Sequence, residues 1–163
     1  MANKYSTVIS TNDVITYLRI DAVECDSSVI TEIENMINSA VSMLQDYTGH
    51  YIQAEEKSFI FNQSGEARVY AYPINSVTAP ADPNDYTSTL KSLYTNYCAF
   101  DADLETIDLN VGYVNPDDVP SEFILAVKEC VRVWYYNTED NTGVGLLPQT
   151  TYGMVNNIKR FIF

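Results

Sequence analysis

The stretch from Val119 to Asp140, VPSEFILAVKECVRVWYYNTED, constrains this chain more than any other, because its helical periodicity is unbroken and demands a partner surface. Pro120 suits the first position of a helix, where its missing N–H would have no acceptor and its fixed φ is already helical. Ser121 and Glu122 follow in the first turn, where free amides and the positive dipole end favour small polar and acidic groups. Phe123, Val127, Cys130, Val131 and Trp134 recur on one face, flanked by Ile124 and Tyr135, while Lys128, Glu129 and Arg132 fall off the stripe. The polar run from Asn137 to Gly145 ends the pattern after about five turns. A face this apolar has to be buried, so the remaining segments are expected to pack against it.

Two earlier segments have the same period. Ser10 or Thr11 can cap a short helix through about Arg19, with Val14, Ile15 and Leu18 as its apolar side. After a polar loop from Asp21 to Ser28, the run from Val29 to Tyr47 places Ile30, Ile33, Ile37, Ala40, Val41, Leu44 and Tyr47 on one face, widened by Met36 and Met43. Gly49 is placed to close it. Between Glu55 and Pro116 the spacing changes to alternation. Ile107, Leu109, Val111 and Tyr113 alternate with Asp108, Asn110 and Gly112, as a strand with one buried face requires. Phe59 and Phe61, then Val69 and Ala71, mark two earlier strands joined near Gln63, Ser64 and Gly65, and Pro73 confines the second to an edge or an end. The run from Ala79 to Ser92, rich in Pro, Asp, Ser and Thr, reads as an exposed loop. Beyond Leu146, Leu147 and Pro148, a short helical pattern of Tyr152, Val155, Ile158, Phe161 and Ile162 runs to an apolar end beside Lys159 and Arg160. Such an end either tucks into its own core or is offered to another protein. The expected class is α+β, mainly α: a helical bundle subunit with two long amphipathic helices and a small antiparallel β element between them. No repeat or long linker divides it, so residues 1–163 read as one domain.

Composition narrows the chemistry. With 163 residues and 46% hydrophobic content the chain can bury a core. Nine basic against 22 acidic residues, a net charge of −13, argue against a surface that grips nucleic acid by its phosphates. Cys25, Cys98 and Cys130 are widely spaced and form no CxxC pair, which indicates neither zinc nor a disulfide framework. The start, MANKYSTVISTNDV, has no apolar signal core, and no run approaches the roughly 18 apolar residues of a membrane span. His50, the only histidine, follows a helix end without a nucleophile motif and reads as a surface or capping residue. Asp101, Asp103 and Glu105 open like a calcium loop, but Thr106 and Gly112 stand where glycine and a bidentate glutamate are needed. The glycines of NTGVGLLP lack a phosphate loop's lysine, and Asn62-Gln63-Ser64 matches a glycosylation sequon without an export signal. No catalytic, cofactor or metal site is therefore expected. Thirteen tyrosines are many for this length; Tyr70, Tyr72, Tyr94, Tyr97, Tyr135 and Tyr136 are of the type that serves cores and interfaces alike.

The order of these segments resembles the head-tail connector (adaptor, or head-completion) proteins of tailed bacteriophages. The resemblance rests on DVITYLRID, a polar loop and a long helix ending in LQDYTG; on the proline-led strand PINSVT; on IDLNVGYVNPDDVPSEFILAVKECVRVWYYN; and on Leu147-Pro148 before a terminal helix. Each motif is short, and the specificity lies in their order. His50 departs from the basic residue often found after YTG, and the loop from Ala79 to Ser92 looks long for the family.

The resemblance implies a non-enzymatic virion protein, assembled in host cytoplasm as a ring of about twelve copies between the portal protein and the next stopper or tail protein. It further implies a DNA channel passed without specific binding, no cofactor and no membrane. It points to residues 152–163 as the portal-docking segment, through Tyr152, Val155, Ile158, Lys159, Arg160, Phe161, Ile162 and Phe163. Asp101, Asp103, Glu105, Asp117, Asp118, Glu139 and Asp140 are the candidates to line the channel. Two readings stand beside it. One is a small cytoplasmic α+β ligand-binding domain or enzyme with a tyrosine-lined pocket; the other is a different virion ring, which would ordinarily be richer in strands.

Overall fold

The computed structural model describes residues 2–21, 24–60, 66–69, 71–79, 86–91, 95–100, 105–136 and 146–159. Packing divides the chain, which reads as one domain in sequence, into two compact units: Met1–Thr48 with Pro116–Lys159, and a second built on Gly49–Asn115. Among the described residues the helices belong to the first and the strands to the second.

In the helical unit, α1 (Thr11–Leu18) starts where Ser10, in an extended conformation, accepts a bond from the Asp13 amide at 3.1 Å. Arg19 in the left-handed region closes it, its N–H returning to the helix carbonyls. Ser10→Ala should remove about 1 kcal/mol of stability in urea unfolding, the usual worth of a serine N-cap, and an unchanged midpoint would show the cap to be idle. Helix α2 (Ser27–Thr48) starts two residues before the periodicity suggests, because the Asp26 carboxylate accepts from the amides of Ser28 (2.8 Å) and Val29 (2.9 Å). Those bonds hold the Asp26 carboxyl below its ordinary pKa. Ile33, Ile37, Ala40, Val41 and Leu44 are buried as expected, and Gly49 follows at φ 76°.

Helix α3 (Ser121–Tyr136) begins one residue after the expected start, with the Pro120 carbonyl accepting from Phe123 and Ile124. Phe123, Val127, Cys130, Val131 and Trp134 are all buried, joined by Ala126. Helix α3 packs on α2, on α1 and on the terminal α4 (Gln149–Val155), and Trp134 Nε1 donates to the Leu146 carbonyl at 3.2 Å. A feature with no periodic signal ties down the start of the chain. Asn3 is buried and donates to the Ile9 carbonyl at 2.7 Å, while Asn38 of α2 exchanges bonds with the backbone of Lys4 and Ala2.

The strand unit contains β1 (Glu55–Ile60), β2 (Glu66–Val69), β3 (Ile74–Ala79), β4 (Tyr86–Lys91), β5 (Thr95–Phe100) and β6 (Thr106–Val111). They form two antiparallel three-stranded sheets, ordered β1-β6-β3 and β2-β5-β4. The expected alternation holds in β6: Ile107, Leu109 and Val111 are buried with Tyr51, Val69 and Ala71, and Phe59, Ile74 and Val77 pack against them. As Pro73 requires, β2 ends before it and lies at a sheet edge. Two expectations need correction. The β part is larger than a small element, and the run read as a loop from Ala79 to Ser92 contains β4. Its Tyr and Thr residues favour extended chain, and they outweigh the prolines and aspartates that precede them in sequence. Phe61, the turn near Gly65 and the run 137–145 with Gly143 and Gly145 lie outside the described residues.

Candidate functional site

The terminal helix docks on its own unit. Thr151 and Val155 are fully buried. The Tyr152 ring stands edge-on to Tyr47 at 4.9 Å, Tyr47 Oη donates to Asn156 Oδ1 at 2.8 Å, and the Lys159 ammonium sits 3.8 Å from the Tyr47 ring centroid. Of the residues expected to dock on a partner, Val155 therefore belongs to the subunit's core, and Tyr152 and Lys159 are engaged by Tyr47. Ile158 is half-buried; Arg160, Phe161, Ile162 and Phe163 lie outside the described residues. Beneath α4, burial pushes the Cys130 thiol up to about 12, against a smaller opposing effect of its hydrogen bond with Thr151. It stays protonated at neutral pH and packs as a small apolar group.

Glu129, expected on the solvent side of α3, is only 6% exposed. Its carboxylate accepts from Arg132 Nε at 2.7 Å, from Arg132 Nη2, and from Tyr17 Oη of α1 at 3.2 Å. The Arg132 bond, more than any other influence, holds the carboxyl below its ordinary range. Burial and the Glu129 bond push the Tyr17 phenol up. A polar network thus pins α1 to α3, helped by Tyr136 Oη, which donates to the Leu18 carbonyl. Sequence periodicity missed it because Glu129 lies at the border of the apolar stripe, and only α1 turns that border into an interior.

His50, read as a surface or capping residue, is 4% exposed. Its Nδ1 lies 2.8 Å from Tyr113 Oη, and its ring packs edge-on to Tyr72 and stacks on Tyr113. The Tyr51 amide bonds to the Tyr72 carbonyl, and the Tyr113 amide to the Tyr51 carbonyl. Tyr72 and Tyr113 therefore pack on His50 within the strand unit. Lys57 Nζ meets Tyr51 Oη at 2.7 Å beside them.

Of the acids expected to line a channel, Glu105, Asp117 and Asp118 are exposed, the last two on a 3-10 turn (Pro116–Asp118) leading into α3. Asp101, Asp103, Glu139 and Asp140 lie outside the described residues. Tyr72 and Tyr135 are half-buried and Tyr136 is 56% exposed; the side chains of Tyr70, Tyr94 and Tyr97 are outside the described set. Ile60, Val114, Leu125 and Leu146 also stand exposed, and of these only Leu125 is set apart in the sequence, by falling off the α3 stripe. Among the described residues no helix is long and apolar enough to cross a membrane.

Among the described residues, four helices in one unit and two three-stranded sheets in the other make this an α+β chain, and the fold recurs in chains of gene transfer agent particles. A chain in the virion of a native gene transfer agent particle matches with a TM-score of 0.72 at 11% identity, over 97% of this chain and 92% of that one. Chains in the neck of an empty gene transfer agent particle computed with C6 symmetry and of a native one computed with C12 symmetry match with TM-scores of 0.69 and 0.66, at 11% and 10% identity. Each of these covers 100% of this chain and 94% of the other. No protein-family model and no curated protein matches the chain. At such identity the likeness is one of fold.

Proposed function

We propose that this chain is a structural protein of a virion neck, present as a ring of about twelve copies that joins the portal to the next tail-ward protein and extends the DNA channel. The observation that carries the reading is the end-to-end likeness to neck chains of gene transfer agent particles, whose necks were computed with C6 and C12 symmetry. It supports the fold and the symmetric setting together, and the order of sequence motifs leads to the same family. The exposed Glu105, Asp117 and Asp118 and the net charge of −13 suit a wall that repels phosphate at short range. With Val155 committed to the core, the portal-docking role falls to the residues beyond Asn156: Ile158, Lys159, Arg160, Phe161, Ile162 and Phe163.

Native mass spectrometry of the chain mixed with its portal protein tests the proposal. The expected species carries about twelve copies per portal, and a chain truncated after Asn156 should stay folded yet fail to join. The assembled ring should not retard duplex DNA at about 0.15 M salt. A stable dimer with no higher species would overturn the ring. Assembly by the truncated chain would overturn the docking segment.

A further inference from the structure

The outer face of α3 is unlike the rest of this acidic chain. Leu125, Lys128, Arg132 and Tyr136 follow one another at spacings of three and four residues, so they form one line along the helix, opposite the buried stripe. Leu125 is 43% and Tyr136 56% exposed, so apolar surface lies at both ends of the line with two cations between. Lys128 makes no hydrogen bond or ion pair among the described residues. Arg132 gives Nε and Nη2 to Glu129, and its side chain remains 47% exposed. Elsewhere in the sequence two cations stand within four residues of each other only at Lys159 and Arg160. The same helical unit presents the opposite charge at the corner between α1 and α2, where Asp21, Glu24 and Asp26 are all exposed with no cation between them.

We infer that the Leu125–Lys128–Arg132–Tyr136 face of α3 is the contact surface for a second copy of this chain, and that it receives that copy's Asp21–Glu24–Asp26 corner. This rests on the ring proposed above and names the surfaces that close it. Charge complementarity selects the occupant. In a chain of net charge −13, two neighbouring cations, one of them tied to Glu129, are too few to track a nucleic-acid backbone, but they match an acidic corner of three carboxylates. Because the two patches differ, the contact is heterologous: each copy offers a face to one neighbour and its corner to the other, which excludes closed pairs and gives a ring when the rotation between copies closes, as on a ring-shaped portal. Leu125 and Tyr136 supply the apolar flanks that exclude water from the charged centre.

The test reverses charges on the half-buried Lys128 of this face and on the exposed acids of the corner. Lys128→Glu, and separately the pair Asp21→Lys and Glu24→Lys, should each weaken self-association by about ten-fold or more, read by sedimentation velocity and by ring formation on the portal. Combining the two variants in one chain, or mixing the single chains, should restore it. Circular dichroism checks that every variant is folded, and Leu125→Ser gives a charge-neutral probe of the same face with the same expected loss. If the wild-type chain forms no assembly in either measurement, the ring and this contact fall together. If it assembles and Lys128→Glu assembles within two-fold as well, or if the combined reversal restores nothing, the contact is wrong while the neck role stands.

Discussion

Gly112→Ala is expected to lower the stability of the chain by about 3 kcal/mol or more, through backbone strain and a steric clash together. Gly112 follows the last residue of β6 with φ of 107°, a conformation that side chains rarely adopt. A Cβ there would stand 2.2 Å from the Gln53 carbonyl oxygen and 2.7 Å from its carbon, and both are backbone atoms that cannot swing aside. The residue is held on two further sides: its N–H donates to the Pro73 carbonyl at 2.8 Å, and its own carbonyl accepts from Asn75 Nδ2 at 2.8 Å. Moving it would disturb β3, β6 and the Tyr113–Tyr51 bond beside it. Gly153→Ala in α4 is the control. Nothing lies within 4 Å of its added carbon, so it should gain about 0.5–1 kcal/mol from helix propensity. Urea unfolding measures both, and a Gly112→Ala protein within about 1 kcal/mol of the wild type would refute the account.

Arg132→Leu is expected to cost about 2–4 kcal/mol at neutral pH, more than Glu129→Gln at about 1 kcal/mol. The asymmetry follows from position. Losing Arg132 leaves a buried carboxylate with only Tyr17 to satisfy it, whereas losing the carboxylate charge leaves a guanidinium that can turn to water and a Gln oxygen that can still accept from Tyr17. The dependence on pH gives a second readout. The folded Glu129 carboxyl is held below its unfolded value, so its contribution is full above the unfolded pKa of about 4.3 and is lost as pH falls through the lower folded one. In Arg132→Leu the carboxyl is buried without its cation and should titrate upward. Acid then protonates it early, and the gap from the wild type should narrow between about pH 7 and pH 3. A gap that stays constant over that interval would show that Arg132 acts by packing alone.

How much of this was legible in the sequence depended on whether the signal was local. The stripes of α2 and α3, the Ser10 cap, the alternation of β6 and the edge position of β2 were readable because each follows from a period, a cap or a proline acting within a few residues. Strands β4 and β5 were not. The prolines and aspartates just ahead of β4 mask the strand signal of its Tyr and Thr residues, and although β4 and β5 are neighbours in sequence, the pairing of β5 with β2 joins segments far apart along the chain. The burial of Glu129 and His50 was also hidden, since a charged or polar side chain becomes interior only when a second element closes over it. Tyr17 of α1 does this for Glu129, and Tyr72 and Tyr113 for His50. The terminal segment shows the same division. Its apolar spacing was evident, but the seating of α4 on its own unit rests on the contact of Tyr152 with Tyr47, the hydrogen bond of Thr151 with Cys130 and the full burial of Val155, three-dimensional facts that no local pattern encodes.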